Sequence, residues 1–150
     1  VSNLKREMII NRGQNDGVQQ GLYVLGQNSI IGKITELKES TSKVMLITDS
    51  RSKLPVMIWR DGNKEYIPAH LLGSGMETAK IPLLSREFDI KVGDTVYAAA
   101  VTGLLETPRM IGTIMKCEPD EKFPLLWDIT VSPVCQAETL KDVAVIVVNP

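Results

Sequence analysis

The chain is poor in the residues on which most protein chemistry depends. One histidine, two cysteines, two phenylalanines and two tryptophans serve all 150 residues. A single histidine restricts a triad of the Ser-His-Asp kind to sites that include His70. The cysteines, Cys117 and Cys135, have neither the C-x-x-C spacing nor the histidine partners of a metal or redox centre. They read as free thiols, or as one disulfide in an oxidising compartment if their α-carbons lie close enough. Charge of one sign is also lacking: 17 basic residues face 18 acidic ones, interspersed along the chain. No basic run interleaved with aromatics offers a footprint for a phosphate backbone, which excludes nucleic acid as the expected partner. Apolar runs such as Val143 to Val148 fall far short of the roughly 20 residues a membrane-spanning helix needs. The chain starts at Val1 without a signal-peptide pattern, so it reads as a piece of a longer polypeptide whose anchor lies elsewhere.

What is present is β-like. Short stretches of β-branched residues alternate with turn formers, as in Asn15-Asp16-Gly17, Gly26-Gln27-Asn28, Asp61-Gly62-Asn63, Gly73-Ser74-Gly75, Val92-Gly93-Asp94 and Glu118-Pro119-Asp120. Many short strands with close turns bury their inward faces as a sandwich or as barrels. An internal repeat sharpens this expectation. Met8-Ile9-Ile10, Asp16-Gly17-Val18, Gly21, Leu22-Tyr23-Val24 and Ile31-Gly32-Lys33-Ile34 recur in order as Ile81-Pro82-Leu83, Val92-Gly93-Asp94, Thr95-Val96-Tyr97 and Ile111-Gly112-Thr113-Ile114. Gly21 and Gly93 stand at strand entries, where a left-handed residue turns the chain into the ladder. Gly32 and Gly112 stand inside strands, where a bulge or sharp bend forms the corner of a small barrel. The expected architecture is all-β, two small six-stranded barrels in tandem over 1–72 and 73–150, with the last strand, 143–148, completing the second barrel or returning to the first.

The segment Ile10-Asn11-Arg12-Gly13-Gln14-Asn15-Asp16-Gly17-Val18-Gln19-Gln20-Gly21-Leu22-Tyr23-Val24 resembles the opening of the barrel core of the MreC family, the rod shape-determining proteins, which carry an N-x-G-x-x-D-G-V-x-x-G-M-x-V pattern. Three further elements follow in family order: Ile30 to Ile34, Ser42 to Asp49 with Leu54-Pro55-Val56 after it, and Asp89 to Val96. The second half departs from the family pattern at Ala98-Ala99-Ala100 and Val101 to Pro108, so contacts made by that loop in relatives do not transfer. The resemblance implies two extracytoplasmic barrels, periplasmic where an outer membrane exists, tethered to the cytoplasmic membrane by a missing N-terminal helix. It implies self-association, contact with the elongation penicillin-binding transpeptidase, with MreD and with other rod-complex proteins, and no cofactor. Its barrels are similar in architecture to those of chymotrypsin-like proteases.

That likeness makes a serine hydrolase the alternative to a scaffold. Its candidates are Ser74, His70 and either Asp49 or Asp61, but no G-x-S-x-G elbow surrounds Ser74, where Leu72 and Met76 replace the two glycines. His70 and Ser74 also come from one short stretch. Glu118, Asp120 and Glu121 cluster with Lys122 in a turn, where solvation is the default. A small-ligand barrel is the third reading, and no aromatic cage supports it. Evidence for protein binding lies in Phe123-Pro124-Leu125-Leu126-Trp127, the expected tip of a hairpin. Phe123, Leu125 and Trp127 either fill a partner's pocket or plug the second barrel. Val145 and Val147, in a segment apolar on both faces, are the candidates for burial between barrels or for self-association.

Overall fold

The computed structural model describes residues 5–60, 62, 65–137 and 140–147. It contains eleven strands, a short 3-10 turn at Gln14–Asp16 and no α-helix among the described residues. The strands are β1 (Glu7–Ile10), β2 (Tyr23–Gly26), β3 (Ser29–Leu37), β4 (Ser42–Leu46), β5 (Lys53–Trp59), β6 (Ile67–Gly73), β7 (Ala79–Ile81), β8 (Thr95–Ala98), β9 (Arg109–Pro119), β10 (Trp127–Pro133) and β11 (Ala144–Val145). All pairings are antiparallel, and they form two bodies: a five-stranded sheet, β1-β4-β3-β2-β11, and a closed barrel, β10-β7-β6-β5-β8-β9.

The pairing order makes the duplication explicit. The run β1-β4-β3-β2 in the sheet is repeated as β7-β10-β9-β8 in the barrel. Gly32 pairs with Val24 in one copy, and Gly112 with Val96 in the other; in each, the register slips directly afterwards. The entry glycines correspond as well. Gly21 (φ 91°) donates its N–H to Ile34 O at 2.8 Å, and Gly93 (φ 97°) donates to Ile114 O at 2.8 Å. At Gly32 and Gly112 the demand is close approach. A Cβ on Gly32 would overlap the carbonyl oxygen of Met45, and one on Gly112 the carbonyl oxygen of Ser132, so neighbouring backbone occupies the side-chain space.

The strands that flank each copy differ from expectation. β5 and β6, placed by the repeat within a first barrel over 1–72, pair instead with β8 and β7 and close the second copy. The division between bodies therefore falls between β4 and β5 rather than at 72/73. β11 returns to the first copy, where Ala144 and Val145 pair with Leu25 and Val24. The first body is a sheet rather than a second closed six-stranded barrel. Burial explains the exchange. Leu54, Val56, Ile58 and Leu71 point into the barrel and pack with Ile81, Val96, Ile111, Ile114 and Ile129, all at most 2 % exposed. Tyr23, Ile30 and Ile47, from the sheet side, join the same cluster and couple the two bodies. At about 1.5–3 kcal/mol per fully buried aliphatic side chain, this shared core outweighs any local preference for pairing with the nearest strands in sequence.

Two buried aspartates fix the connections. Asp49, fully buried after β4, accepts the N–H groups of Arg6 (2.7 Å) and Arg51 (2.8 Å) and two bonds from the Arg51 guanidinium. Burial alone would raise its pKa, but the Arg51 side-chain and backbone bonds, with that from Arg6, hold it down at about 2. Asp94, before β8, is gripped by Arg60 at 2.7 and 3.0 Å and accepts Lys91 N–H at 2.9 Å. Here too the Arg60 hydrogen bonds outweigh desolvation and lower the carboxyl's pKa.

Candidate interaction surface

The hairpin joining β9 to β10 is built by its own polar atoms. Asp120 Oδ1 accepts the N–H groups of Lys122 (2.8 Å) and Phe123 (3.0 Å), an Asx-type turn, and Asp120 donates its own N–H to Leu126 O at 3.0 Å. This turn lifts Phe123 and Leu125 into solvent, 61 % and 82 % exposed. Neither fills the barrel end. Trp127 divides the two roles: its ring packs partly on the barrel core while Nε1 donates to Phe88 O at 3.0 Å.

A second segment, between β7 and β8, is stitched along the hairpin. Arg86 N–H donates to Leu125 O (2.9 Å), Trp127 N–H to Leu84 O (2.8 Å), and Arg86 Nη1 to Pro124 O (3.1 Å). The Arg86 guanidinium also stands 5.4 Å from the centroid of the Trp127 ring. The segment adds exposed apolar residues of its own, Leu83 at 81 % and Phe88 at 43 %. Leu83 has a φ of 62°, a left-handed conformation that costs a non-glycine residue about 1–2 kcal/mol. Leu83 falls in Ile81-Pro82-Leu83, the counterpart of Met8-Ile9-Ile10 in the repeat, and Phe88 carries no local signal, so the sequence singles out neither. The chain thus fixes four exposed apolar side chains on two cross-linked segments, which cuts the ordering cost of burying them against a partner.

The hydrolase candidates are not assembled. Ser74 Oγ donates to Thr78 O at 2.8 Å and accepts from Met76 N–H and Thr78 Oγ1, both at 3.1 Å, which uses its one proton and both lone pairs within its own turn. His70 lies exposed on β6 opposite Pro55. The stretch that carries His70, beside the expected 72/73 boundary, is therefore a barrel strand. Asp49 is committed to arginine, and Asp61 lies outside the described residues. Glu118 sits within ion-pair reach of Lys116 while Asp120 shapes the turn, and no cluster of potential metal ligands occurs among the described residues. Both cysteines are free: Cys117 contacts Ile90 O at the barrel, and Cys135 packs in the sheet's own core. The barrel interior is filled by side chains, which leaves the small-ligand reading without a lumen. Val145 is half-buried and Val147 is 53 % exposed, at the outer edge of the sheet. No helix among the described residues is long and apolar enough to cross a membrane.

A duplicated four-strand unit, closed into a barrel in one copy and left as a sheet in the other, with an exposed apolar rim on the barrel, defines an all-β barrel-core protein. The model for "rod shape-determining protein MreC, barrel core" matches residues 1–147. The chain belongs to the MreC family. The cell shape-determining protein MreC of Cereibacter sphaeroides is 24 % identical over 122 residues, 81 % of this chain and 39 % of that protein. The Listeria monocytogenes protein of the same name is 29 % identical over 80 % of this chain and 41 % of its own length, so the chain spans about two fifths of these relatives. Among solved structures, MreC from Pseudomonas aeruginosa superposes with a TM-score of 0.84 at 23 % identity, covering 97 % of this chain and 91 % of that one. The major periplasmic domain of the cell shape-determining filament MreC matches at 0.71 and 21 % identity, over 90 % and 81 %. MreC in complex with penicillin-binding protein PBP2, both from Helicobacter pylori, matches at 0.60 and 16 % identity, over 84 % and 78 %.

Proposed function

We propose that this chain is the non-catalytic, extracytoplasmic scaffold core of a bacterial wall-elongation complex, and that it binds the elongation transpeptidase and further copies of itself. The observation that carries the reading is the rigid apolar rim formed by Phe123, Leu125, Leu83 and Phe88 on the closed barrel. Large apolar side chains held in solvent by a built turn and a strained residue have no role in the barrel's own core, whereas aromatic and aliphatic anchors of this kind dominate binding energy at protein interfaces. Family membership supplies the partner class: the Helicobacter pylori relative is seen with its penicillin-binding protein, and another structure is of the periplasmic domain from a cell shape-determining filament. Val145 and Val147 are the residues proposed for self-association, and MreD and other rod-complex proteins are the remaining partners the family implies. The membrane tether belongs to the whole protein rather than to these residues.

The test is shape complementation in cells depleted of the native protein. Full-length protein with Ser74→Ala or His70→Ala should restore rods. Leu125→Asp, at an 82 % exposed site, should leave rounded cells at unchanged protein level. Rounded cells with Ser74→Ala in a stably folded protein would overturn the scaffold reading.

A further inference from the structure

A cation stands inside the apolar rim, and no carboxylate among the described residues neutralises it. Arg86 lies between Leu83 and Phe88 on one segment and opposite Pro124 and Leu125 on the other, where its N–H donates to Leu125 O at 2.9 Å. Its guanidinium is held at two points, by the Nη1 bond to Pro124 O at 3.1 Å and by the face of the Trp127 ring, 5.4 Å from the centroid. The residue is exposed, and this contact uses one of five guanidinium N–H groups.

The arginines that fix the connections elsewhere are different. Arg51 reaches the carboxylates of Asp49 and Glu7, and Arg60 those of Asp94 and Asp89. Arg86 is oriented as firmly but forms no ion pair among the described residues. Several acidic groups near the rim already have other partners: Asp89 pairs with Arg60 at 3.2 Å, Glu118 with Lys116 at 3.8 Å, and Asp120 accepts the turn N–H groups. Glu87 and Glu121 are exposed on the same two segments.

Water solvates the Arg86 guanidinium while the rim is free. A partner that covers Leu83, Phe88, Phe123 and Leu125 also strips water from Arg86, because it stands among the same side chains. A guanidinium dehydrated without an acceptor would cancel much of the gain from the apolar contacts, whereas a carboxylate meets its remaining N–H groups in a bidentate, charge-assisted pair. Its fixed position lowers the ordering cost of forming that pair.

Resting on the reading that the rim binds the elongation transpeptidase, we propose that Arg86 sets the rim's specificity: the matching patch on that partner is apolar and carries one carboxylate, which closes on the Arg86 guanidinium. A patch apolar throughout would leave the cation buried and unpaired, so the same residue rejects generic hydrophobic surfaces. A broadly acidic patch is disfavoured as well, since Glu87 and Glu121 would repel further negative charge.

The test is calorimetric titration of this chain with the soluble ectodomain of the elongation transpeptidase from the same organism, with sedimentation of the chain alone. Arg86→Gln should weaken binding roughly tenfold or more at unchanged Tm, and Arg86→Lys, which keeps the charge but not the fork, should lose less. Charge reversal separates recognition from mere support of the segment. With each surface Asp and Glu of the ectodomain changed in turn to Arg, one variant should bind Arg86→Glu at least tenfold more tightly than the unmodified ectodomain does. Restoration by none of them would overturn the proposal. Loss of binding with Leu125→Asp but full binding with Arg86→Gln would overturn the carboxylate pairing and leave the rim reading standing. Full binding with both would overturn the two together. Arg86→Gln that weakens dimerisation of the chain and leaves transpeptidase binding intact would give the rim to a second copy, which also contradicts the proposal.

Discussion

Gly112 offers the sharpest test of how the duplicated unit is held together. A methyl group there would overlap Ser132 O and come within 2.8 Å of Ser132 C and 2.9 Å of Pro133 Cα, all of them backbone atoms of the adjoining strand β10. No rotamer change relieves this contact. Restoring van der Waals distance requires β9 and β10 to part by about 1 Å, enough to break N–H···O bonds of about 2.9 Å. Losing about two ladder bonds at ~1 kcal/mol each, with an overpacking cost of about 1–3 kcal/mol, gives a destabilisation of about 3–5 kcal/mol for Gly112→Ala. For a chain of this size that is a fall in Tm of roughly 6–20 °C. Gly32→Ala should cost a similar amount, because Met45 O occupies the equivalent space and Met45 C lies at 3.0 Å. Gly17→Ala is the control. Its φ of 82° is strained for alanine, but nothing lies within 4 Å, so it should lose only about 1–2 kcal/mol. Urea unfolding of the three variants measures all of this. A change within about 0.5 kcal/mol at Gly112 would refute the close-approach argument.

Three further outcomes follow from the buried charges and the thiols. Asp49 has a folded pKa near 2 against about 3.9 unfolded, so the unfolded chain binds the extra proton in that window. Its contribution of about 2–2.5 kcal/mol is complete above pH 4 and is lost as pH falls from about 4 to 2; Asp49→Asn should flatten that part of a stability–pH curve. Arg60→Ala leaves the buried Asp94 carboxylate without its two guanidinium bonds and should lower the urea midpoint clearly more than Lys43→Ala, whose pairing with Glu36 is exposed; equal midpoints would contradict it. Reductant should leave Tm unchanged, because Cys117 and Cys135 belong to separate cores; a reductant-dependent fall of several degrees would contradict the free thiols.

The parts of this fold that could be read from sequence were those encoded locally. Turn residues and strand-interior glycines recur in the same order because each copy needs the same left-handed entry and the same close approach, and these demands fall on single residues. Which strand closes which body is a long-range property. β5 and β6 follow the first copy in sequence yet belong to the second, and only the shared packing of Leu54, Val56, Ile58 and Leu71 decides it. β6 was obscured further by its composition, since Pro68-Ala69-His70-Leu71-Leu72 has no β-branched residue. Gly73-Ser74-Gly75 reads as a turn at the boundary of the two units, whereas Gly73 ends a strand against the backbone of Asp49. At the rim, the hairpin tip was legible as Phe-Pro-Leu-Leu-Trp after an acidic turn. Leu83 was not, because its exposure depends on a left-handed backbone that no local sequence signal announced.

The central claim is that the barrel rim, and no covalent chemistry, carries the function. Calorimetric titration of this chain with the soluble ectodomain of the elongation transpeptidase from the same organism tests it directly. Phe123→Asp and Leu125→Asp should each weaken binding by about 2–4 kcal/mol, roughly 30- to 1,000-fold, with Tm within about 2 °C of the unmodified protein, while Ser74→Ala and His70→Ala bind unchanged. Undiminished binding by both rim variants, or loss of binding only where the barrel has unfolded, would contradict the account.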